Sequence, residues 1–499
     1  MRKSFLFLAC SILSGCALGP NFKPDVPGEP ADSYAATRPT GSQLVAQPVP
    51  PDWWDSFNDP ILSALEQQAV EQNLDLQAAA LRVAESRAQL RIAGASGLPS
   101  ASANASYMRE RASPKGILSL LGSQSPAPDS ANGASPFGST TVAGSNGSPA
   151  YDLFQLGFDA SWEIDLWGKA RRLREAARAD TQSAIYDREA ARVTLTAEVA
   201  KTYMALRGAE AKLEVIRSNR DTVARGLMIA EHREAEGAAT KYDTATAAAQ
   251  LSTIEASIPS LVQQIATFSN ALALLIAAPP HALDEVLSKP AEVPVLPDLV
   301  PVGLPSELAE RRPDIASAEA ALHAATARIG VAKANFYPSI SLTGSFGTQG
   351  LDISNIPGWG ARQYLVGPVM KLPIFQGGRL RGELELTKAD QQIAALHYRE
   401  TVLKAWHEVD DALTAFKTEQ DRRDALSNAT EQSRVAVAVA ERRYREGATA
   451  YLSVLIAERS LLSNEADLAD SRTASASAMI ALYKALGGGW TPPTGKRPS

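Results

Sequence analysis

Cysteine is nearly absent: two residues in 499, at positions 10 and 16. Cys10 lies in an apolar start that reads as a leader, so its removal leaves one thiol and excludes an internal disulfide. The five histidines, at 232, 281, 323, 397 and 407, show no metal-ligand spacing. No Ser-His-Asp arrangement or phosphate loop accompanies them, so neither catalysis nor a metal or other cofactor is expected. Long apolar runs are missing too: beyond the leader none approaches twenty residues, and no transmembrane helix is predicted. If such a chain crosses a membrane, it must do so as strands of a closed barrel. Neither sign of charge dominates. Setting Arg2 and Lys3 aside from the 49 basic residues leaves 47 against 55 acidic, a mixed balance that argues against a nucleic-acid partner.

What is present begins with an address. Arg2 and Lys3, the apolar stretch Phe5 to Leu13, and Leu13-Ser14-Gly15-Cys16 form a lipoprotein leader with a lipobox. Residues 1–15 are then removed, Cys16 is acylated, and its chains anchor the protein in membrane lipid. Ala17 rather than Asp follows, which favours sorting to the outer membrane of a Gram-negative cell at its periplasmic leaflet.

Proline marks the architecture by where it is missing, from Gly168 to Ile258 and again from Ile374 to Thr491. Both lengths suit paired helices. Seven prolines from Pro279 to Pro305 read as an extended linker. On either side the chain repeats itself. NLDLQAAALRVAESRA from Asn73 aligns with RPDIASAEAALHAATA from Arg312, at an offset of 239. EIDLWGKAR from Glu163 aligns with KLPIFQGGR from Lys371 at 208, and HREAEGAAT from His232 with RRYREGATA from Arg442 at 210. The drop in offset places about 31 extra residues in the Ser/Gly/Pro/Asn-rich run from Ser113 to Ala150, a loop composition. The expected domains are a leader (1–15), an extended N-terminal segment (16–59), a first repeat (60–278), a linker (279–305), a second repeat (306–487) and a C-terminal tail (488–499).

Each repeat reads helix, strand, loop, strand, long helix, turn, helix. In the first, a helix over Pro60 to Gly94 leads to a strand over Ser100 to Tyr107, and then to one over Leu156 to Leu166. The latter sets Phe158, Trp162 and Ile164 on one face and Asp159, Glu163 and Asp165 on the other. The second repeat alternates from Ser339 to Phe346 and, less cleanly, from Tyr364 to Ile374, where Pro368 and Pro373 predict irregular pairing or a bend. Lys169 to Glu236 and Leu380 to Glu446 each predict a helix of roughly 100 Å at 1.5 Å rise per residue. Helices that long need partners along their length. Pro60 to Gly94 with Lys241 to Ala277 supply them in the first repeat, and Ser306 to Asn335 with Tyr451 to Leu486 in the second. Heptads such as Val199, Leu206, Leu213 and Leu227, and Ala209, Ile216, Val223 and Ala230, mark the seam.

The fold class expected is therefore a mixed α and β membrane protein, mainly long helical hairpins plus four transmembrane strands. About eight strands is the smallest number that closes a barrel, so more than one chain is required. A two-sheet soluble sandwich would use the same alternation, but not the lipobox.

At this level the residues also resemble a known family. GCALGPNFKPDVP from Gly15, DWWDSFNDPILSALEQQAVEQNLDL from Asp52, SWEIDLWGKARR from Ser161, ERRPDIASAEAAL from Glu310, ARIGVAKANFYPSISLTGSFG from Ala327, LPIFQGGRLR from Leu372 and RYREGATAYLSVLIAERSLL from Arg443 are similar to segments of TolC-like outer-membrane efflux proteins of the acylated OprM/NodT branch. The resemblance implies a homotrimer with a twelve-stranded barrel and a periplasmic helical barrel. It also implies a periplasmic adaptor and an inner-membrane pump, usually of the resistance-nodulation-division type, as partners. Carried over, the periplasmic tips that meet the adaptor are Glu236, Gly237, Ala238, Glu446, Gly447 and Ala448. Asp243, Arg233, Arg442 and Arg445 are aperture candidates, and no acidic ring is found between Thr449 and Leu455. Asp159, Glu163 and Asp165 are expected to line the barrel lumen. Trp167, Gly168, Gln376 and Gly377 mark the two strand-to-helix junctions. Two alternatives remain open: a non-conducting periplasmic coiled-coil lipoprotein, and an exit duct for secreted protein.

Overall fold

The computed structural model describes residues 17–23, 43–45, 47–111, 150–297, 299–302 and 311–491. The leader, Cys16, nearly all of the Ser113 to Ala150 loop, and most of the C-terminal tail lie outside the described residues. In chain order the elements are β1 (Gln43–Val45), α1 (Pro60–Gln72), α2 (Leu74–Ala95), β2 (Ser100–Glu110), β3 (Tyr151–Ile164), α3 (Lys169–Ala235) and α4 (Lys241–Leu275). Then follow β4 (Leu299–Pro301), α5 (Pro313–Ala334), β5 (Ser339–Gly350), β6 (Arg362–Lys371), α6 (Arg379–Arg445) and α7 (Tyr451–Ala485). The residues gather into two compact units, each drawing on both repeats. One comprises Met1–Pro20, Gln89–Ala176 and Ala327–Lys388; the other comprises Asn21–Ala88, Ala177–Thr326 and Ala389–Ser499.

The first unit carries a four-stranded antiparallel sheet in the order β2-β3-β5-β6. Its register places like on like. Asp159 stands between Ser102 and Ser345, and Ser161 between Ser100 and Thr343. Phe158 stands between Ala103 and Phe346, which in turn faces Tyr364. One face is thus polar across β2, β3 and β5 while the other is apolar, and Phe158, Phe346, Tyr364 and Met370 lie exposed. β6 breaks the rule, since Leu365 and Val369 share the polar face with Ser345 and Ser341. Pro368 does not disturb pairing, contrary to expectation: it sits in register with Leu342. β6 is an edge strand of this sheet, where a residue lacking an N–H is tolerated. Pro373 falls beyond the strand end at Lys371.

The second unit holds the main hydrophobic core. Trp53 and Phe57, on the short 3-10 turn Trp53–Phe57, pack with Leu62 of α1, Tyr203, Met204 and Leu206 of α3, Phe416 of α6, and Met479 and Tyr483 of α7. Truncating a buried aromatic of this kind costs about 3–5 kcal/mol. The single first helix expected from Pro60 to Gly94 is two helices. Asp59 caps α1 by accepting from the backbone N–H of Ile61 and Leu62, with Pro60 in the first turn. Asn73 then leaves helical geometry; its side chain accepts from Leu76 N at 3.0 Å and donates to Leu275 O at 2.9 Å, so it caps α2 and ties it to α4.

The heptads pack as spaced. Leu213, Ile216 and Val223 of α3 form a cluster with Ile254 and Leu261 of α4, while Val199 and Leu206 belong to the main core. α4 meets by length and composition the requirement for crossing a membrane, which the sequence reading did not anticipate; its window has a mean hydropathy of 1.2. Its seam on α3 gives that apolar surface a hairpin role, and Pro259 lies inside it without ending the helix.

Candidate functional site

Two places in the fold carry the sequence-predicted residues: the strand-to-helix junctions and the hairpin ends. At the first junction β3 stops at Ile164. Asp159 and Glu163 do share a face of β3; Asp159 accepts a hydrogen bond from Asn104, and Glu163 lies 3.8 Å from Lys169. Asp165 is a correction to the expected strand. It falls past the strand end, and its Oδ2 accepts from the backbone N–H of Arg171 at 3.0 Å and from that guanidinium at 3.2 Å. It therefore serves the start of α3, whose positive dipole end favours a carboxylate. Leu166 likewise lies outside the strand, although the alternation runs on to it.

Gly168 turns the chain into α3 at φ +80°, a conformation costly for any residue with a Cβ. It is also covered. Residues 17–18 run across it, with Leu18 N donating to Trp167 O at 3.2 Å and the Arg172 guanidinium donating to Leu18 O at 3.2 Å. A Cβ on Gly168 would lie 2.8 Å from Ala17 Cα. Farther along this strap Gly19 crosses Gly330, so closely that a Cβ on Gly19 would meet Gly330 Cα at 2.5 Å. Trp167 packs on Tyr337 with ring centroids 4.9 Å apart and planes tilted by 33°, and donates its indole N–H to Pro338 O at 2.7 Å.

At the second junction Gln376 O accepts from Arg379 N at 3.1 Å, and Gly377 and Gly378 take φ +58° and +88°. Nothing approaches the position of a Cβ on either. Arg379 pairs with Glu383 one turn on. The charges differ from the first repeat: Lys371 stands where Glu163 stood, and Pro373 where Asp165 stood. Glu163, Asp165, Trp167, Lys169, Lys371, Gln376 and Arg379 border one cavity of about 350 Å³, which brings residues of both junctions together.

The hairpin ends share one backbone design. Gly237 at φ +74° and Gly447 at φ +71° end α3 and α6 in left-handed geometry. Ala238 N donates to Arg233 O at 2.7 Å and Ala448 N to Arg443 O at 2.8 Å, while Gly237 N and Gly447 N reach Glu234 O and Tyr444 O at 3.0 Å. This is the Schellman arrangement, and it explains a Gly in both turns. Glu236, Ala238, Glu446 and Ala448 are exposed around them. Of the aperture candidates, Asp243 is committed to α4: its carboxylate accepts from Thr240 N at 3.0 Å and Thr240 Oγ1 at 2.8 Å, a capping box. Arg233 reaches the second hairpin, donating to Tyr444 O at 3.2 Å with its guanidinium 4.3 Å above the Tyr444 ring. Arg442 and Arg445 are exposed in the last turn of α6, where cations complement the helix dipole.

Sequence reasoning missed two buried polar groups of the second unit. Arg207, fully buried, donates to Tyr203 Oη at 3.0 Å, Glu210 at 2.7 Å and Lys289 O at 3.2 Å, and Tyr203 donates to Asp59 at 2.6 Å. Near the hairpin end Tyr444, Tyr451 and Glu458 are buried, and both phenol oxygens and Glu458 Oε2 lack a hydrogen-bond partner. Burial, and next the charge of Glu441, push the Glu458 carboxyl up to about 7. The only sequence signal was a pair of tyrosines flanking a Gly turn.

A sheet polar on one face and apolar on the other, joined through glycines to helices of 67 residues, defines a membrane channel of mixed strand and helix. A family model described as "Outer membrane efflux protein" matches residues 65–278 and 304–488, and the chain belongs to that family. It is 33% identical over 481 residues to outer membrane protein OprJ of Pseudomonas aeruginosa, covering 96% of this chain and 94% of that one. It is 30% identical over 496 residues to the solvent efflux pump outer membrane protein SrpC of Pseudomonas putida, covering 98% of each. Among solved structures, the outer-membrane channel OprN superposes with a TM-score of 0.84 at 30% identity, over 95% of this chain and all of that one. The open state of the MtrE channel of Neisseria gonorrhoeae gives 0.78 at 28%, over 96% and 100%. The chain thus has the TolC-like channel fold, mostly helical with some strands, and is an outer-membrane efflux channel.

Proposed function

We propose that three copies of this chain form the exit duct of a tripartite efflux system, passing small molecules without chemistry of its own. The observation that carries the reading is the four-stranded sheet. Its polar face is shared by β2, β3 and β5, and among the described residues its apolar face is bare and β2 and β6 are left as unpaired edges. Four strands cannot close on themselves, whereas three such sheets joined edge to edge give a twelve-stranded wall, apolar toward lipid and polar toward water. Asp159 and Glu163 then face the water path. Trp167 and Tyr337 sit where aromatic residues favour a membrane interface, and acylated Cys16 holds the strap of residues 17–18 beside them. The ends at Glu236-Gly237-Ala238 and Glu446-Gly447-Ala448 meet a periplasmic adaptor, which links the duct to an inner-membrane pump of the resistance-nodulation-division type.

Relatives of similar identity are named for toluene, antibiotic and pyoverdine export, so cargo choice belongs to the pump rather than to the duct. That spread favours small-molecule export over protein secretion. A tethering lipoprotein would have no use for a polar sheet face. Purified protein in planar lipid bilayers should crosslink as a trimer and conduct ions. Glu163→Gln should shift the cation-to-anion preference while leaving drug resistance within about twofold of wild type. A monomer that passes no current would refute the duct.

A further inference from the structure

We infer that Glu458 is a proton-controlled latch inside the second hairpin, holding the ends of α6 and α7 together only while its carboxyl is neutral. The groups around it supply no compensation. Tyr451, two turns earlier on α7, and Tyr444 of α6 pack with ring centroids 5.1 Å apart, inside an apolar cluster of Ala230, Ala247, Val454 and Leu455. Neither hydroxyl has a hydrogen-bond partner, nor does the buried Glu458 Oε2. The α6 side brings Glu441, a second carboxylate. On α3, Arg233 is turned toward the Tyr444 ring and the carbonyls of Tyr444 and Arg445, and Gly226 makes the notch for Tyr451, since a Cβ there would run into its hydroxyl. On the α4 side Gln250 takes the guanidinium of Arg459. Among the described residues no cation pairs with Glu458, and an unpaired buried carboxylate is costly, so the packed state selects the acid.

The first hairpin is an internal control. At the offset of 210, Tyr444 corresponds to Glu234, Tyr451 to Lys241 and Glu458 to Ala248. Glu234 and Lys241 form an ion pair at 3.8 Å, with the Lys241 end exposed. The first hairpin end thus has no carboxyl at the place of Glu458.

The sign follows from linkage. An acid whose folded value is raised stabilises the packed end fully below its ordinary value, near 4.5, and that contribution is lost as pH rises toward about 7. Over that window the ratio of closed to loosened α6–α7 ends falls by on the order of a hundredfold. Loosening exposes Tyr444 and Tyr451 and frees the turn at Gly447. That this also raises conductance rests on the duct reading.

The test is amide hydrogen exchange of the intact protein at pH 5 and 8, corrected for intrinsic rates. Residues around 440–460 should lose tenfold or more in protection at pH 8, and within 226–250 the loss should be smaller and confined to the positions packed on the two tyrosines, near Gly226, Ala230 and Ala247. Glu458→Gln, a permanent mimic of the neutral acid, should abolish the step. Glu441→Gln should move its midpoint to lower pH by removing the repelling charge. A step that survives in Glu458→Gln, or protection that does not vary with pH in the wild type, overturns the latch. An exchange step without a matching conductance step in bilayers leaves the latch intact and removes its link to gating. A chain that exchanges as expected but never conducts fails the duct reading alone.

Discussion

Gly168 and Gly378 hold nearly the same backbone angle, φ +80° and +88°, yet Gly168 lies beneath Ala17 while Gly378 faces open space. Around Gly168 the strap of residues 17–18, the Trp167–Tyr337 ring contact and the Asp165 cap fix the passage from β3 to α3. Around Gly378 the passage from β6 to α6 has two glycines, a Lys in place of the Glu and a Pro in place of the Asp. The repeats are alike in the elements they build and unlike in how those elements are fastened. One junction is clamped, and the other is held, among the described residues, by backbone turns, the Arg379–Glu383 pair and the buried Leu380.

The comparison can be broken most directly with alanine. At both glycines a Cβ costs about 1–2 kcal/mol for the left-handed angle. At Gly168 it also meets Ala17 Cα at 2.8 Å, adding overpacking of about 1–3 kcal/mol. Gly168→Ala should therefore destabilise the protein in denaturant more than Gly378→Ala by roughly that second amount. Deleting the strap should erase the difference. Equal losses would mean that the strap yields freely and that the junctions are fastened alike.

Asp165 gives a smaller effect with a sharper reading. Asp165→Ala should cost about 1 kcal/mol, the usual value of a lost helix-start carboxylate, because its partner Arg171 is half exposed and screened. At the second junction Phe375→Asp, four residues before Arg379 as Asp165 is before Lys169, should gain a fraction of that. If Asp165 lined the water path instead, its loss would alter ion preference and leave the melting point unchanged.

How the sequence misread Asp165 shows where periodicity stops informing. Alternation of period two continues through Asp165 and Leu166, but a pattern of side chains does not record where interstrand hydrogen bonding ends. The faces of β3 and β5, the 67-residue helices, the heptad seam and the Gly turns were legible because each is set by neighbours within a few residues. The strap over Gly168 was not, since it joins positions some 150 residues apart through backbone atoms that carry no residue signature. Pro368 was misjudged for a related reason: whether a strand tolerates it depends on edge or interior position, which is a property of the sheet and not of the strand. The Arg207 group and the Glu458 latch were also invisible, because burial of a charged residue is decided by partners on other helices.

The hairpin turns provide the smallest contrast and a way to sharpen it. Both end their first helix identically, but Thr240 and Asp243 close a capping box on α4, whereas Ala450 gives α7 no side-chain cap. Ser453 stands where Asp243 does, and its hydroxyl oxygen accepts from Thr449 Oγ1 at 3.0 Å. Thr240→Ala should cost about 1 kcal/mol, and the double change Ala450→Thr with Ser453→Asp should return up to that amount to the second turn. Because the second turn is the one next to Glu458, the added cap should also raise protection at residues 450–455 at pH 8 more than at pH 5, where the packed end is already closed. An equal gain at both values would show that the turn and the buried acid act independently, and that the uncapped turn is a weakness of sequence rather than part of a loosening end.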